Sequence, residues 1–477
     1  MVFSSPVFLF GFLPCFLLAY FLTPTRFRNV TALLASGMFY AWGAPTFIFL
    51  LLTFCLTDYL LSLAIHRCRT RPRWPSLLLA LSVASNLALL GYFKYANFLV
   101  AQFSDLWAAA GHSPPPWTHV ALPIGISFFV FHKISYTVDV YRGISPPCRS
   151  FIDFLLYILF FPQLIAGPII RYHDIAEQLL RRTHSFEDFF QGMYRFSLGL
   201  GKKVLLANPL GEAADAVFAF PAGGLHSGQA WLGLLCYAFQ IYFDFSGYSD
   251  MALGLGRMCG FHFRENFNQP YIATTITDFW RRWHISLSSF MKEYLYIPLG
   301  GNRGPLWRTY FNLWIVFLIS GLWHGASWTF ILWGAYHGCF LVLDRLFWSD
   351  FAEKLPRPLA VAITFLIVLF GWLLFRCPDA LHAWQFAGRM FALSPITPTS
   401  AVLLDVFTHR VWFTFVLAAV ISFAPLAAAS PARLADRWRI GPVIRAQVQG
   451  VFLLALLGLS LIALSTSGFN PFIYFRF

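Results

Sequence analysis

Charge is what this sequence has least of. Only 12% of its 477 residues are Asp, Glu, Lys or Arg, about half the share of a soluble domain. Other signatures are missing too. The eight cysteines, Cys15, Cys55, Cys68, Cys148, Cys236, Cys259, Cys339 and Cys377, form no CxxC and no Cys/His metal spacing. Neither a zinc site nor a disulfide framework is indicated. There is no GxSxG elbow, so a self-contained serine hydrolase is unsupported. Gly254, Gly256 and Gly260 stand in the wrong order for a GxGxxG loop and have no βαβ context. The opening MVFSSPVFLFGFLPCFLLAYFL has no basic region before its apolar run. An uncleaved first membrane helix is therefore expected rather than a removed signal peptide. With no internal repeat, soluble segment or low-complexity linker, residues 1–477 read as one domain.

What is present is apolar. Hydrophobic residues make up 58% and aromatics 19%, and the mean hydropathy is +0.63. Many runs approach the roughly 20 residues that cross a bilayer. They fall near Val7–Leu22, Val30–Trp42, Phe47–Ile65, Leu77–Val100, Val120–Val140, Phe151–Ile170 and Trp231–Tyr248. Others lie near Phe311–Phe330, Ile331–Phe347, Leu359–Phe375, Val411–Ala428 and Val451–Leu464. The expectation is an all-α polytopic membrane protein of about 11–13 membrane helices, with re-entrant and interfacial helices besides. The net charge of +13 fits Lys and Arg gathered at helix ends, facing anionic lipid and the cytoplasm. The bilayer, and no nucleic acid, is the partner it implies.

Arg26 and Arg28, then Arg67, Arg69, Arg71 and Arg73, then Arg142 and Arg149 follow alternate spans. The connections between them, Gly43–Thr46 and Ala101–His119, have no Lys or Arg. This pattern puts the arginine loops in the cytoplasm and the N-terminus outside. The alternation fails after Ile170, where charges of both signs crowd. Pro162, Gly167 and Pro168 interrupt Phe151–Ile170, so that segment is expected to be broken or re-entrant. Phe186–Leu200 reads as an amphipathic interfacial helix. The charged zone Gln269–Arg308 is expected to pack inside the protein or along the membrane face. Ser430–Arg445 reads as basic and interfacial, and FNPFIYFRF as an aromatic anchor.

The chain is organised around Ile319–Gly338, ISGLWHGASWTFILWGAYHG. His324 and His337 stand there among Gly321, Gly325, Gly334 and Gly338, with Trp323, Trp328 and Trp333 as bulk. Ionisable groups at membrane depth are rare and functional, and small residues admit close neighbours. A neutral imidazole can take a hydroxyl proton as a carbonyl is attacked, so His324 is the candidate catalytic base of an acyl transfer. His284, in FWRRWHISLS, is the second catalytic candidate, with Asp278 at helical spacing before it. Asp244, Ser246, Tyr248 and Asp250, in QIYFDFSGYSDMALGLG, either line a hydrated substrate path with Asp278, Trp323 and His337 or pair with arginines elsewhere.

At these residues the sequence resembles the membrane-bound O-acyltransferase (MBOAT) family, in its AlgI-type bacterial branch. The likeness runs through GYFKYANF, LPIGISFFVF, SYTVDVYRG, FFPQLIAGPIIRY, ENFNQPYI, FWRRWHISLSSFMKEYLYIPLGGNRG and GLWHGASWTFILWGAYHG. It implies a multi-helix fold around a funnel or tunnel in a bacterial inner membrane, which makes the side of the N-terminus the periplasm. The family's near-invariant histidine falls on His324 and its second polar position on His284. It implies no permanently bound cofactor and acetyl-CoA as acyl donor. The acetyl group would go to an exopolysaccharide of alginate or cellulose type, through a periplasmic SGNH-type acetyltransferase and alongside the polysaccharide synthesis and secretion machinery. Lys292-Glu293 stands where the branch has Arg-Asp, and the chain is compact after Phe347. Two alternatives remain at this level. One is D-alanyl or other acyl transfer to an envelope polymer. The other is an acyl or polymer transporter, which predicts internal symmetry that the sequence lacks.

Overall fold

The computed structural model describes residues 1–165, 167–392, 401–424, 441–466 and 468–471. Among them there are helices and no strands, as the apolar periodicity requires. Among the described residues five helices are long and apolar enough to cross a membrane: Phe47–Arg67, Trp74–Ala109, Trp328–Ala352, Arg357–Arg376 and Val443–Thr466. Val7–Leu22 and His409–Phe423 are shorter apolar helices. The other expected spans are broken, short or interrupted by buried charge. Most of Ser430–Arg445 and all but the start of FNPFIYFRF lie outside the described residues.

The chain forms two compact units, Met1–Gly192 with Leu255–Arg264, and Met193–Gly254 with Glu265–Phe477. In the first, a bundle holds a polar core. Lys133 and Asp58 pair at 3.2 Å, both fully buried. Ser82 Oγ donates to Asp58 at 2.6 Å, and Asn86 Nδ2 donates to both carboxylate oxygens at 3.0 and 2.9 Å. A buried ion pair offsets its desolvation only when further hydrogen bonds complete it, and three helices contribute here. The expected break appears as well. One helix stops at Leu159, and a four-residue turn, Phe161–Leu164, follows with Pro162 in its first turn.

In the second unit, the Leu306–His324 helix folds back on the Trp328–Leu343 helix. The glycines set their closeness. A Cβ on Gly321 would meet Gly334 Cα at 3.0 Å, one on Gly334 would meet Leu318 Cα at 3.1 Å, and one on Gly338 would meet Trp314 Cδ1 at 2.9 Å. The G-x-x-x-G face of Gly334 and Gly338 is pressed against Trp314, Leu318 and Gly321 of the first helix. The turn falls at Gly325–Ser327, not at the expected boundary of Phe330 and Ile331. The Phe330 ring occupies the space a side chain on Gly325 would need, so the chain must leave the helix directly after His324. The zone from Gln269 onward packs inward. It is cut into the short helices Ile276–Arg282 and Ile285–Met291, with Trp280, Trp283, His284 and Leu287 buried.

Candidate functional site

His324 is the last residue of its helix and 8% exposed. Its ring meets Trp323 at 4.8 Å, Trp333 at 5.0 Å and Phe375 at 5.2 Å between centroids, each steeply inclined. Helix geometry puts Trp323 beside it in sequence, while the hairpin and the Arg357–Arg376 helix bring Trp333 and Phe375 from outside. The imidazole is therefore held in one place by aromatic walls.

His284 is buried, at φ 45° and ψ 54°. A non-glycine residue held in the left-handed region stores strain that its surroundings must over-determine. Asn266 supplies that constraint. Its Oδ1 accepts from Ser286 N at 3.1 Å and Ser286 Oγ at 2.9 Å, and lies 3.2 Å from His284 Nδ1. Its backbone oxygen accepts from Ile285 N at 2.9 Å. With Nδ1 donating to Asn266, Nε2 is the basic nitrogen of His284, by the inferred tautomer. Phe245 packs edge-on at 4.6 Å, and Trp323 lies 6.3 Å away. Trp323 thus stands between His284 and His324.

His337 is fully buried one ring further on. Trp333 lies 5.0 Å from it and Trp280 5.1 Å. A Cβ on Gly371 would come within 2.5 Å of His337 Nε2, so the glycine makes room for the imidazole.

The remaining sequence candidates divide differently. Asp244 pairs with Lys203 at 2.9 Å, both buried. Asp250 pairs with Lys202 at 2.6 Å and with Arg195 at 2.7 Å. Of the two readings of this run, ion pairing describes its carboxylates, but two of the three partners are lysines and only Arg195 is one of the expected arginines. Ser246 Oγ is buried with no hydrogen-bond partner among the described residues, and Tyr248 is buried. Asp278 turns to Arg282 at 2.9 Å on a part-exposed helix face. The residues the sequence reading did not single out are Asn266, Phe245, Trp280, Gly371 and Phe375. Asn266 lay in the quoted ENFNQPYI, but no periodicity links it to His284.

A cavity of about 480 Å³ lies in the same unit. Arg281, Lys292, Arg345 and Asn302 line part of it, and Trp280 and Phe317 wall it beside His337. Leu313, Val316, Phe317 and Ser320 also face it. These recur on one stripe of the Leu306–His324 helix, and His324 is the next position on that stripe, about one turn beyond Ser320. Among the described residues no group of His, Cys, Asp and Glu could hold a metal ion.

Comparison with known proteins gives a consistent answer. Residues 148–377 match the membrane-bound O-acyltransferase family. The chain is 44% identical over 503 residues to the "Probable alginate O-acetylase AlgI" of Azotobacter vinelandii, covering all of both chains. It is 48% identical over 392 residues to that of Pseudomonas aeruginosa, covering 82% of this chain and 75% of the other. To the "Peptidoglycan O-acetyltransferase" of Helicobacter pylori it is 38% identical over 434 residues, covering 83% and 81%. This multi-pass membrane protein is an acyltransferase, and it belongs to the membrane-bound O-acyltransferase family.

Proposed function

We propose that the protein is an O-acetyltransferase of the bacterial inner membrane, with its N-terminus in the periplasm. It moves acetyl from cytoplasmic acetyl-CoA towards an exopolysaccharide outside, through a periplasmic SGNH-type partner. Alginate is the favoured polymer, because the relatives named for alginate are nearer in identity, at 44% and 48%, than the one named for peptidoglycan, at 38%.

One observation carries the mechanism. The cavity is lined by Leu313, Val316, Phe317 and Ser320 of the Leu306–His324 helix, and His324 stands about one turn beyond the last of them. The donor's anionic end docks against Arg281, Lys292 and Arg345, the end this reading takes as cytoplasmic. Its arm lies along Leu313, Phe317 and Ser320. At His324 the imidazole takes the acceptor's hydroxyl proton, and the oxygen forms its bond to the acyl carbon. The C–S bond then breaks, and the thiolate takes the proton from the imidazolium and leaves by the way it came. His284, fixed by Asn266, orients the acceptor. A positioned base contributes about 10²–10⁴ in rate.

The test is a host lacking the gene, complemented with the wild type or His324→Ala. Both proteins should accumulate in membranes, and only the wild type should restore ester-linked acetate on the polymer. Full acetylation with the variant would refute the assignment.

A further inference from the structure

Buried indole and imidazole nitrogens are ordinarily hydrogen-bonded, because leaving one unpaired forfeits its solvation. Elsewhere in the second unit this holds at two indoles and fails singly at Trp348, whose Nε1 has no hydrogen-bond partner among the described residues. Trp372 Nε1 donates to Tyr271 Oη at 3.1 Å, and Trp231 Nε1 donates to the Met390 carbonyl at 2.8 Å. Beside His324 it fails four times in one place. Trp280 Nε1, Trp333 Nε1 and both ring nitrogens of His337 have no hydrogen-bond partner among the described residues. The three side chains are 6%, 0% and 0% exposed. They form a triangle, with ring centroids 5.6 Å apart for Trp280–Trp333, 5.1 Å for Trp280–His337 and 5.0 Å for Trp333–His337. One corner, Trp280, borders the 480 Å³ cavity. Another, Trp333, touches His324 at 5.0 Å.

We propose that this triangle is a binding site for the acyl carbonyl oxygen of the donor thioester, with the Trp280 and Trp333 N–H groups and His337 as its hydrogen-bond donors. The proposal rests on the reading of His324 as the base, and it supplies what that reading lacks. When the acceptor oxygen attacks, the carbonyl π electrons move onto the acyl oxygen. When the C–S bond breaks, they return. Donors fixed in a water-excluded wall stabilise that transient charge without reorganising. The site is charge-neutral, so it suits an oxygen that carries full negative charge only in passing. A permanent anion would find no cation there.

The test uses the full-length protein in nanodiscs with acetyl-CoA as donor, and for turnover with membranes carrying the native acceptor machinery. Trp280→Phe and Trp333→Phe keep the ring and remove the N–H. Each should lower kcat by about 10²-fold or more, with KM for acetyl-CoA unchanged within about twofold and thermal unfolding unchanged. Infrared difference spectra of wild type with carbonyl-labelled acetyl-CoA should show the stretch shifted to lower frequency, and the shift should be lost in the variants. This readout needs only binding, so it does not depend on the variants turning over. An unshifted band in wild type, or wild-type kcat in both variants, would overturn the proposal. So would a rise in KM alone, which would make the indoles packing for the ground state. If instead His324→Ala retained activity while the indole variants lost it, the base reading would fail and this site would stand.

Discussion

One buried polar cluster in each unit makes an instructive pair. In the first, Asp58 receives an ammonium and three hydrogen bonds from Lys133, Ser82 and Asn86. In the second, Trp280, Trp333 and His337 are gathered beside His324 with no such partners among the described residues. A completed network is an answer to a folding problem, since it ties helices together where no water can. An incomplete one keeps its hydrogen-bonding capacity for something that arrives later. Both regions are rich in intramembrane polar groups, so rarity at membrane depth alone does not separate architecture from chemistry. What the neighbours satisfy does.

The largest effect expected from that contrast is on stability in the first unit. Asp58→Ala leaves Lys133 buried without its carboxylate and should cost about 3–5 kcal/mol, as removing one member of a buried pair does. Unfolding in detergent, followed by thermal or chemical denaturation, would show it. The double variant Asp58→Leu/Lys133→Met should recover most of the loss. If the double variant regained stability but not acetyl transfer, the network would be more than architecture.

A smaller effect should come from Asn266→Ala. It strips Ser286 of an acceptor and frees the left-handed turn at His284. The cost should be about 1–3 kcal/mol in stability, with a fall in kcat of about tenfold or more because a positioning contact is lost. Asn266→Asp, which keeps the acceptor oxygen, should retain the turn.

The smallest lies at His173. Its Nδ1 sits 2.9 Å from Asp139, and that hydrogen bond, with the carboxylate charge, holds its pKa above the usual histidine value against the effect of burial. A raised folded pKa gives stability that is full below the unfolded value, about 6.5. It is lost as pH climbs through the folded value. The stability difference between wild type and His173→Asn should therefore be about 1 kcal/mol or less at pH 5–6 and shrink above neutrality. Melting curves across that range would check it.

Much of this was legible in the chain. Leu359–Phe375 is a nearly unbroken apolar run and Phe47–Ile65 is apolar save for Asp58, and length alone announces both. Pro162 announced the break after Leu159. The glycines flanking His324 and His337 announced close helix contact, because few other side chains permit it. What stayed hidden were pairings across distance. Asp244 and Asp250 find Lys203, Lys202 and Arg195 some forty or more positions earlier, and no local pattern encodes that. Asn266 reaches His284 through an irregular loop, where periodicity carries no information. The orphaned indoles were hidden for a further reason. A tryptophan's role depends on what its N–H meets, and the sequence says only that the ring is large.

The central claim is that His324 is the catalytic base, and it is tested most directly by rate. Purified wild type, His324→Ala and His324→Gln would be compared for release of free thiol from acetyl-CoA in the presence of membranes carrying the native acceptor machinery. The expected result is a loss of about 10² or more in both variants, with melting behaviour and donor binding preserved. Turnover at the wild-type rate in a folded His324→Ala protein would contradict it.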